Sequence, residues 1–239
     1  MPRSKRGSKR WALWWRTEVF TVSIPAADRN LLSLAEMKAA LGVTGNASDA
    51  ALTALGAQIS DMIAHECHVP VDGVTPPTLR SETIVETLRN DLRYSWRKDQ
   101  IVLTRRFVTS IASVVVAGVT LVSADYEVDG GAGLLRRVNE GGTIICWPSG
   151  VIVVAYVAGF ATVPEPLKLA AATILREQWS VASQGGAAPR DPLLKRERVE
   201  GIGDSEWFGS TGGSSSGSRS GAFSSMASAM LDPFRYIEV

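Results

Sequence analysis

Between residues 33 and 67 the apolar positions step by three or four, the spacing of one helix face. Ser33-Leu34-Ala35-Glu36 sets a hydroxyl three residues ahead of a carboxylate, the capping-box spacing, and opens a short helix over about 33–41 that Gly42 closes. Asn46, Ser48 and Asp49 offer caps for a longer helix whose apolar stripe is Leu52, Leu55, Ile59, Met62 and Ile63, ending near Cys67 ahead of Pro70. From about 80 to 157 the period changes: Ser81–Leu88, Ile101–Thr104 and Ser113–Val116 are rich in β-branched residues, Leu134–Val138 and Thr143–Trp147 follow, and Val151–Val157 is nearly continuously apolar. Asp125–Asp129 alternates, acids on one side and Tyr126 and Val128 on the other, and Asp129-Gly130-Gly131 marks a turn. This predicts an antiparallel β insertion of about five or six strands.

Val163-Pro164-Glu165-Pro166 then starts another helix, since proline suits the first turn and glutamate the positive end of the dipole. Leu167, Ala170, Ala171, Ile174, Leu175, Gln178 and Trp179 mark one face, and the alanines allow close approach to the 46–67 helix. The chain leaves a helical core, makes a β excursion and returns. Beyond it, Gln184–Pro189 reads as a linker and Arg190–Phe208 as charged but interspersed with apolar residues. Gly209–Gly221 is a Gly/Ser tract whose apolar content is too low to offset the entropy of folding. Met226–Val239 is apolar again, with Leu231, Phe234, Tyr236 and Ile237. Two readings fit it: a docking peptide on a flexible tether, or a terminus that folds back on its own domain.

Composition adds an asymmetry. The formal net charge is +1, yet residues 1–17 carry Arg3, Lys5, Arg6, Lys9, Arg10 and Arg16 and no acid, so the remainder is +1 − 6 = −5. The basic arm suits DNA phosphate or an acidic partner. A solvated tail, or an upstream start codon, accounts for it equally, although Trp11, Trp14 and Trp15 are unusual in disordered sequence. No apolar run reaches the ~18–20 residues of a membrane span, and no secretory signal is evident. Cys67 and Cys146 are expected to be free buried thiols rather than a disulfide framework.

Candidate chemistry is sparse. His65-Glu66-Cys67-His68 has the wrong histidine spacing for a zinc helix, and no third or fourth ligand is nearby in sequence. Asp125, Glu127, Asp129 and Gly130 imitate the start of a calcium loop, but Arg136 stands where the bidentate glutamate belongs. Neither Gly201-Ile202-Gly203 nor the Gly/Ser tract ends as a nucleotide-binding motif does. Ser149 lacks the glycines of a nucleophile elbow. No catalytic, metal or cofactor residues are assigned, and the chain is read as not an enzyme. Arg105-Arg106, Arg136-Arg137 and Lys195-Arg196-Arg198 could line a DNA path or cover solvated strand ends.

Four stretches carry a resemblance. They are Leu32–Leu41; Asp125–Asp129 leading through Gly133-Leu134-Leu135-Arg136 to Ile152–Phe160; Val163–Ala172; and the terminal Leu231-Asp232-Pro233-Phe234-Arg235. In this order the chain resembles the head–tail connector (adaptor, head-completion) proteins of tailed bacteriophages and gene transfer agents, over roughly residues 31–208 and the last few. The resemblance implies an α+β fold: a small helical bundle with an inserted antiparallel β region and an extended C-terminal tail. The corresponding division is a basic arm at 1–29, a helical core at 30–70 and 160–208, a β insertion at 75–158, a Gly/Ser linker at 209–221 and a docking tail at 222–239. It also implies a ring of about twelve copies under the portal, extending the DNA channel and carrying the next neck protein, a stopper or tail terminator. The expected setting is the virion neck, assembled in the host bacterial cytoplasm, with no membrane partner and no cofactor. Leu231, Pro233, Phe234, Arg235, Trp207 and Phe208 are the expected portal contacts. Arg3, Lys5, Arg6, Lys9 and Arg10 are the candidates for DNA or an acidic partner. Residues 1–20 and the spacer are longer than the resemblance implies. The rival readings are a DNA-binding protein that uses the basic arm and a tail-terminator or stopper subunit.

Overall fold

The computed structural model describes residues 16–90, 99–183, 196–199, 203–206 and 225–236. The fold is α+β, and the chain divides into two compact units, one of residues 1–28, 68–162 and 236–239 and the other of 29–67 and 163–235. Each is built below from its own contacts.

The second unit is helical. Helix α1 (Leu34–Leu41) has the full capping box: the Ser33 hydroxyl accepts from the Glu36 amide and the Glu36 carboxylate accepts from the Ser33 amide. Gly42 closes it with φ of 67°, the left-handed region open to glycine. Helix α2 (Asp49–Glu66) buries Leu52, Gly56, Ile59, Ile63 and Ala64, while Ser48 gives no side-chain cap. Helix α3 (Glu165–Ser183) buries Leu167, Ala170, Ala171, Ile174 and Leu175. Its buried face stops there: Gln178, expected on it, is exposed. Gly56 has the role of spacer, because a Cβ there would lie 2.6 Å from the Met37 sulfur. Polar groups fix the register. Lys168 of α3 reaches Glu36 at 2.8 Å and Glu165 at 3.4 Å, and Arg176 donates to the Ala40 carbonyl at the C-terminal end of α1. The Ser60 hydroxyl takes the Leu31 amide and donates to the Gly56 carbonyl. A two-stranded ribbon and a short terminal helix complete the described part of this unit.

The first unit is antiparallel β. Its larger sheet has the order β1 (Arg16–Ile24), β2 (Glu82–Asn90), β9 (Gly150–Ala158), β4 (Val108–Val116), β5 (Val119–Thr120). Its smaller sheet runs β3 (Gln100–Val102), β7 (Leu134–Val138), β6 (Tyr126–Asp129), with β8 (Ile144–Ile145) also on β7. The core draws on both, joining Ile84, Leu88, Val114, Ile152, Val154 and Tyr156 to Ile101, Leu103 and Leu135. The insertion thus has eight strands, β2 to β9, rather than five or six; β5 is only two residues long and carries no pattern of its own. Strand β1 is a second departure. The expected arm spans residues 1–29, but residues 16–24 pair with β2 from Arg16–Arg89 to Ile24–Thr83. Both long outer strands are irregular: β1 breaks register at Thr17/Val19 and Val22/Ile24, β4 at Val108/Ser110 and Ile111/Ser113. Such bulges hinder in-plane addition of another strand. Cys67 is buried as expected, whereas Cys146 is exposed beside the short β8.

At the end of β9 the chain passes very close to its neighbour. Gly159 (φ 96°) would put a Cβ 2.3 Å from the Arg80 carbonyl oxygen. Its own amide bonds to the Phe107 carbonyl, and Phe160 bonds to Leu79. Gly159→Ala combines a left-handed backbone with a backbone clash and is expected to destabilise by about 2 kcal/mol or more, read as a lower urea midpoint. The helical unit yields a pH test. Hydrogen bonds from Lys168 and Ser33 hold the Glu36 carboxyl at about 2, below its ordinary 4.5. A depressed carboxylate stabilises the fold above its unfolded value and loses that contribution as pH falls from 4.5 towards 2. Glu36→Gln should therefore flatten the fall in melting temperature across that window and leave a smaller difference from wild type at pH 2 than at pH 6.

Candidate functional site

The terminal segment is built from helix α4 (Ser225–Leu231) and a 3-10 turn, Asp232–Phe234, with Pro233 in its first turn. Pro233 fixes φ where a helix can no longer continue. Within the helical unit Ala227 and Leu231 are fully buried and Phe234 is 8% exposed. Arg235 then leaves the turn in extended conformation and meets three partners: Glu66 at 2.5 Å, the Ser228 hydroxyl at 2.9 Å and Asp232 at 3.0 Å. Glu66 is the last residue of α2, where the helix dipole disfavours an anion, so the guanidinium relieves an unfavourable end charge. The neighbouring Cys67 thiol is pushed up to about 12, mainly by burial, which makes it inert. The segment keeps an outer face: Met226, Ala229, Asp232 and Pro233 are exposed.

The expected portal contacts therefore occupy different positions in the chain. Pro233 is exposed; Leu231 and Phe234 are buried; Arg235 is engaged with Glu66 and Asp232. Trp207 and Phe208 lie outside the described residues, as do Arg3, Lys5, Arg6, Lys9 and Arg10.

Tyr236, the next residue, is placed within the β unit. It sits edge-on to Phe107 with centroids 6.2 Å apart, and its hydroxyl approaches the Arg106 carbonyl at 3.5 Å. Burial raises its pKa.

The β unit also holds a charged cluster in its core. Glu82, Glu86 and Arg105 are buried to 2%, 0% and 4% exposure. Arg105 donates to Glu82 at 3.0 Å and to the Thr78 carbonyl at 2.8 Å. Glu86 accepts from the Thr104 amide, the Thr104 hydroxyl at 2.7 Å and the Tyr156 hydroxyl at 3.0 Å. The Tyr156 oxygen accepts the Arg105 amide, and burial followed by the Glu86 charge raises its pKa well above the usual value. Every group here serves to hold the β3–β4 turn onto β2 and β9. Arg105 is thus corrected from a possible DNA contact to a core residue: it is too buried to reach a phosphate. Arg106 beside it is half-buried, over the Phe107 ring and donating to the Gly131 carbonyl. This cluster was missed from sequence, yet a signal was present. Glu82 and Glu86 share strand parity with Ile84 and Leu88, and so must point the same way.

No family model matches the chain, and no curated protein matches it. Solved structures do. The chain is similar to one from the neck of an empty GTA (gene transfer agent) particle computed with C6 symmetry, at 18% identity and a TM-score of 0.49. It is also similar to one from the neck of a native GTA particle computed with C12 symmetry, at 18% identity and a TM-score of 0.45. Each likeness covers 92% of this chain and 97% of the other. A likeness of that size assigns no role to any residue here.

The remaining sequence candidates resolve individually. Asp125 accepts the Val122 amide and Asp129 the Ala132 amide, so both cap turns. Among the described residues, no three His, Cys, Asp or Glu side chains come together as a metal site, and no helix is long and apolar enough to cross a membrane. Removing one partner of the Glu82–Arg105 pair strands the other in the core. Arg105→Met is expected to cost about 3–5 kcal/mol, measured by chemical denaturation. A cost below about 1 kcal/mol would mean that water reaches Glu82.

Proposed function

We propose that this chain is a structural subunit of a phage-type neck: a head–tail connector that forms a ring under the portal, extends the DNA channel and carries the next neck protein. The observation that carries the reading is the order of parts. A helical unit assembled from two separated stretches is interrupted by an antiparallel β unit, and after a Gly/Ser tract the chain returns as a compact, proline-stiffened terminal segment. That is the arrangement the connector resemblance implies. A rigid helical body suits a ring, and the segment Leu231–Arg235 suits a portal contact because it sits at the end of a long tether.

In the free subunit only part of that contact is available. Pro233 is accessible as it stands, with Met226 on the same outer face. Leu231, Phe234 and Arg235 become accessible when the segment leaves α3 and Glu66. Trp207 and Phe208 remain candidate contacts upstream of the tether. The ring, the portal, the next neck protein and the passing DNA are partners of this proposal, and the virion neck is its setting.

Native mass spectrometry of the protein mixed with the portal protein from the same genome tests it. A complex with about one copy per portal subunit is expected, and it should be lost on deleting residues 222–239. The truncated chain also loses the burial of Leu231 and Phe234, so its folding is checked by circular dichroism. A second variant, Met226→Glu with Pro233→Glu, alters exposed positions only and should weaken portal binding at least tenfold at unchanged stability. Full binding by both variants would remove the terminal segment from the interface; no complex with the unaltered protein would remove the connector reading.

A further inference from the structure

Helix α4 and the turn after it are held in the helical unit by a small set of side chains. Seven residues are too few for a helix to persist alone, so the segment depends on what it packs against. Its apolar hold is Ala227, Leu231 and Phe234, with α4 lying along α3. Its polar hold centres on Arg235 and divides in two. The Ser228 hydroxyl at 2.9 Å and Asp232 at 3.0 Å meet the guanidinium from inside the segment, and they travel with it. Glu66 meets it at 2.5 Å from the end of α2, and it stays behind. The segment therefore keeps an oriented guanidinium whether or not it is seated. Leaving breaks the Glu66 contact.

Glu66 stands where local energetics disfavour it. It is the last residue of α2, at the negative end of the helix dipole. A carboxylate there destabilises the helix by itself and becomes favourable when Arg235 arrives. Seating the segment thus relieves a penalty as well as adding a bond, which concentrates the hold in one ion pair. The pair is reachable from solvent, with side chains 31% and 29% exposed, so a competing carboxylate can approach it. Residues 184–224 separate α3 from α4 and span at most about 130 Å when extended, so the segment can leave while α3 stays folded.

We propose that residues 225–235 are an autoinhibitory strap. In the free subunit the Arg235–Glu66 pair latches the segment with Leu231 and Phe234 turned inward. A partner releases it by offering Arg235 a carboxylate beside an apolar groove, in place of Glu66 and α3. The partner follows from the connector reading, whereas the latch belongs to the free subunit and is measured without the partner.

Thiol labelling of the full-length protein reads the latch. Cys146→Ser removes the exposed thiol, and Cys67 is buried with its pKa pushed up to about 12. Ala227→Cys then puts a reporter at a fully buried position of α4. In this background Glu66→Gln should speed labelling at position 227 at least threefold with unchanged circular dichroism. Glu165→Gln, which removes an exposed carboxylate from α3, should not. Raising sodium chloride from about 0.05 to 0.5 M should speed labelling when Glu66 is present and have no effect in the Glu66→Gln variant. Glu66→Gln in the otherwise unaltered chain leaves every portal-contact candidate in place, and it should bind the portal protein at least threefold more tightly because the competent state is more populated. Labelling that Glu66→Gln leaves unchanged would overturn the latch. Faster labelling with equal or weaker portal binding would overturn its inhibitory role. Faster labelling with no portal complex from either protein would uphold the latch and remove the connector reading instead.

Discussion

Arg105 is the constraint on which the β unit depends. A guanidinium cannot be left unpaired in an apolar core, so its presence dictates a carboxylate at Glu82 and the Thr78 carbonyl, while the Tyr156 hydroxyl holds the backbone amide of the same residue. Those partners come from β2, from the loop before it and from β9. The turn carrying Arg105 joins β3 of the small sheet to β4 of the large one, so satisfying one side chain brings both sheets into register. Apolar burial supplies most of the driving force for this core. It lacks direction, and the charged cluster supplies that.

The helical unit solves the corresponding problem at its ends. Glu36 caps α1 and receives Lys168 from α3, Arg176 caps the other end of α1, and Arg235 neutralises the end of α2. Small residues in between, Gly56, Ala170 and Ala171, let the helices approach closely. Charged side chains here work mainly on helix termini, where unsatisfied backbone groups and dipoles make a charge useful.

Legibility in the sequence followed the locality of the cause. Helix α1 is encoded by a capping box and a glycine, β7 by the turn signal Asp129-Gly130-Gly131 ahead of it, and α3 by Pro164 and Pro166, and each lies within a residue or two of the expected place. Strand β1 was obscured because the neighbouring basic run dominated the reading of residues 1–29, although Val19-Phe20-Thr21-Val22 is good strand sequence. Helix α4 has only seven residues; it exists through the burial of Ala227 and Leu231, which only the tertiary fold supplies. Arginine at 105 looked like surface because most arginines are. The inward parity of Glu82 and Glu86 was the available warning that a buried cation had to be near.

The left-handed closure of α1 has a bearing on how this chain could change over time. Gly42 at φ 67° meets nothing within 4 Å of where a Cβ would be. Backbone preference alone therefore holds glycine there. Asparagine, which also tolerates that region, is an open route for drift. Gly159, hemmed in by the Arg80 carbonyl, has no comparable route. Two glycines, both at positive φ, thus face different evolutionary futures, one a matter of local preference and the other of neighbours that would have to move with it.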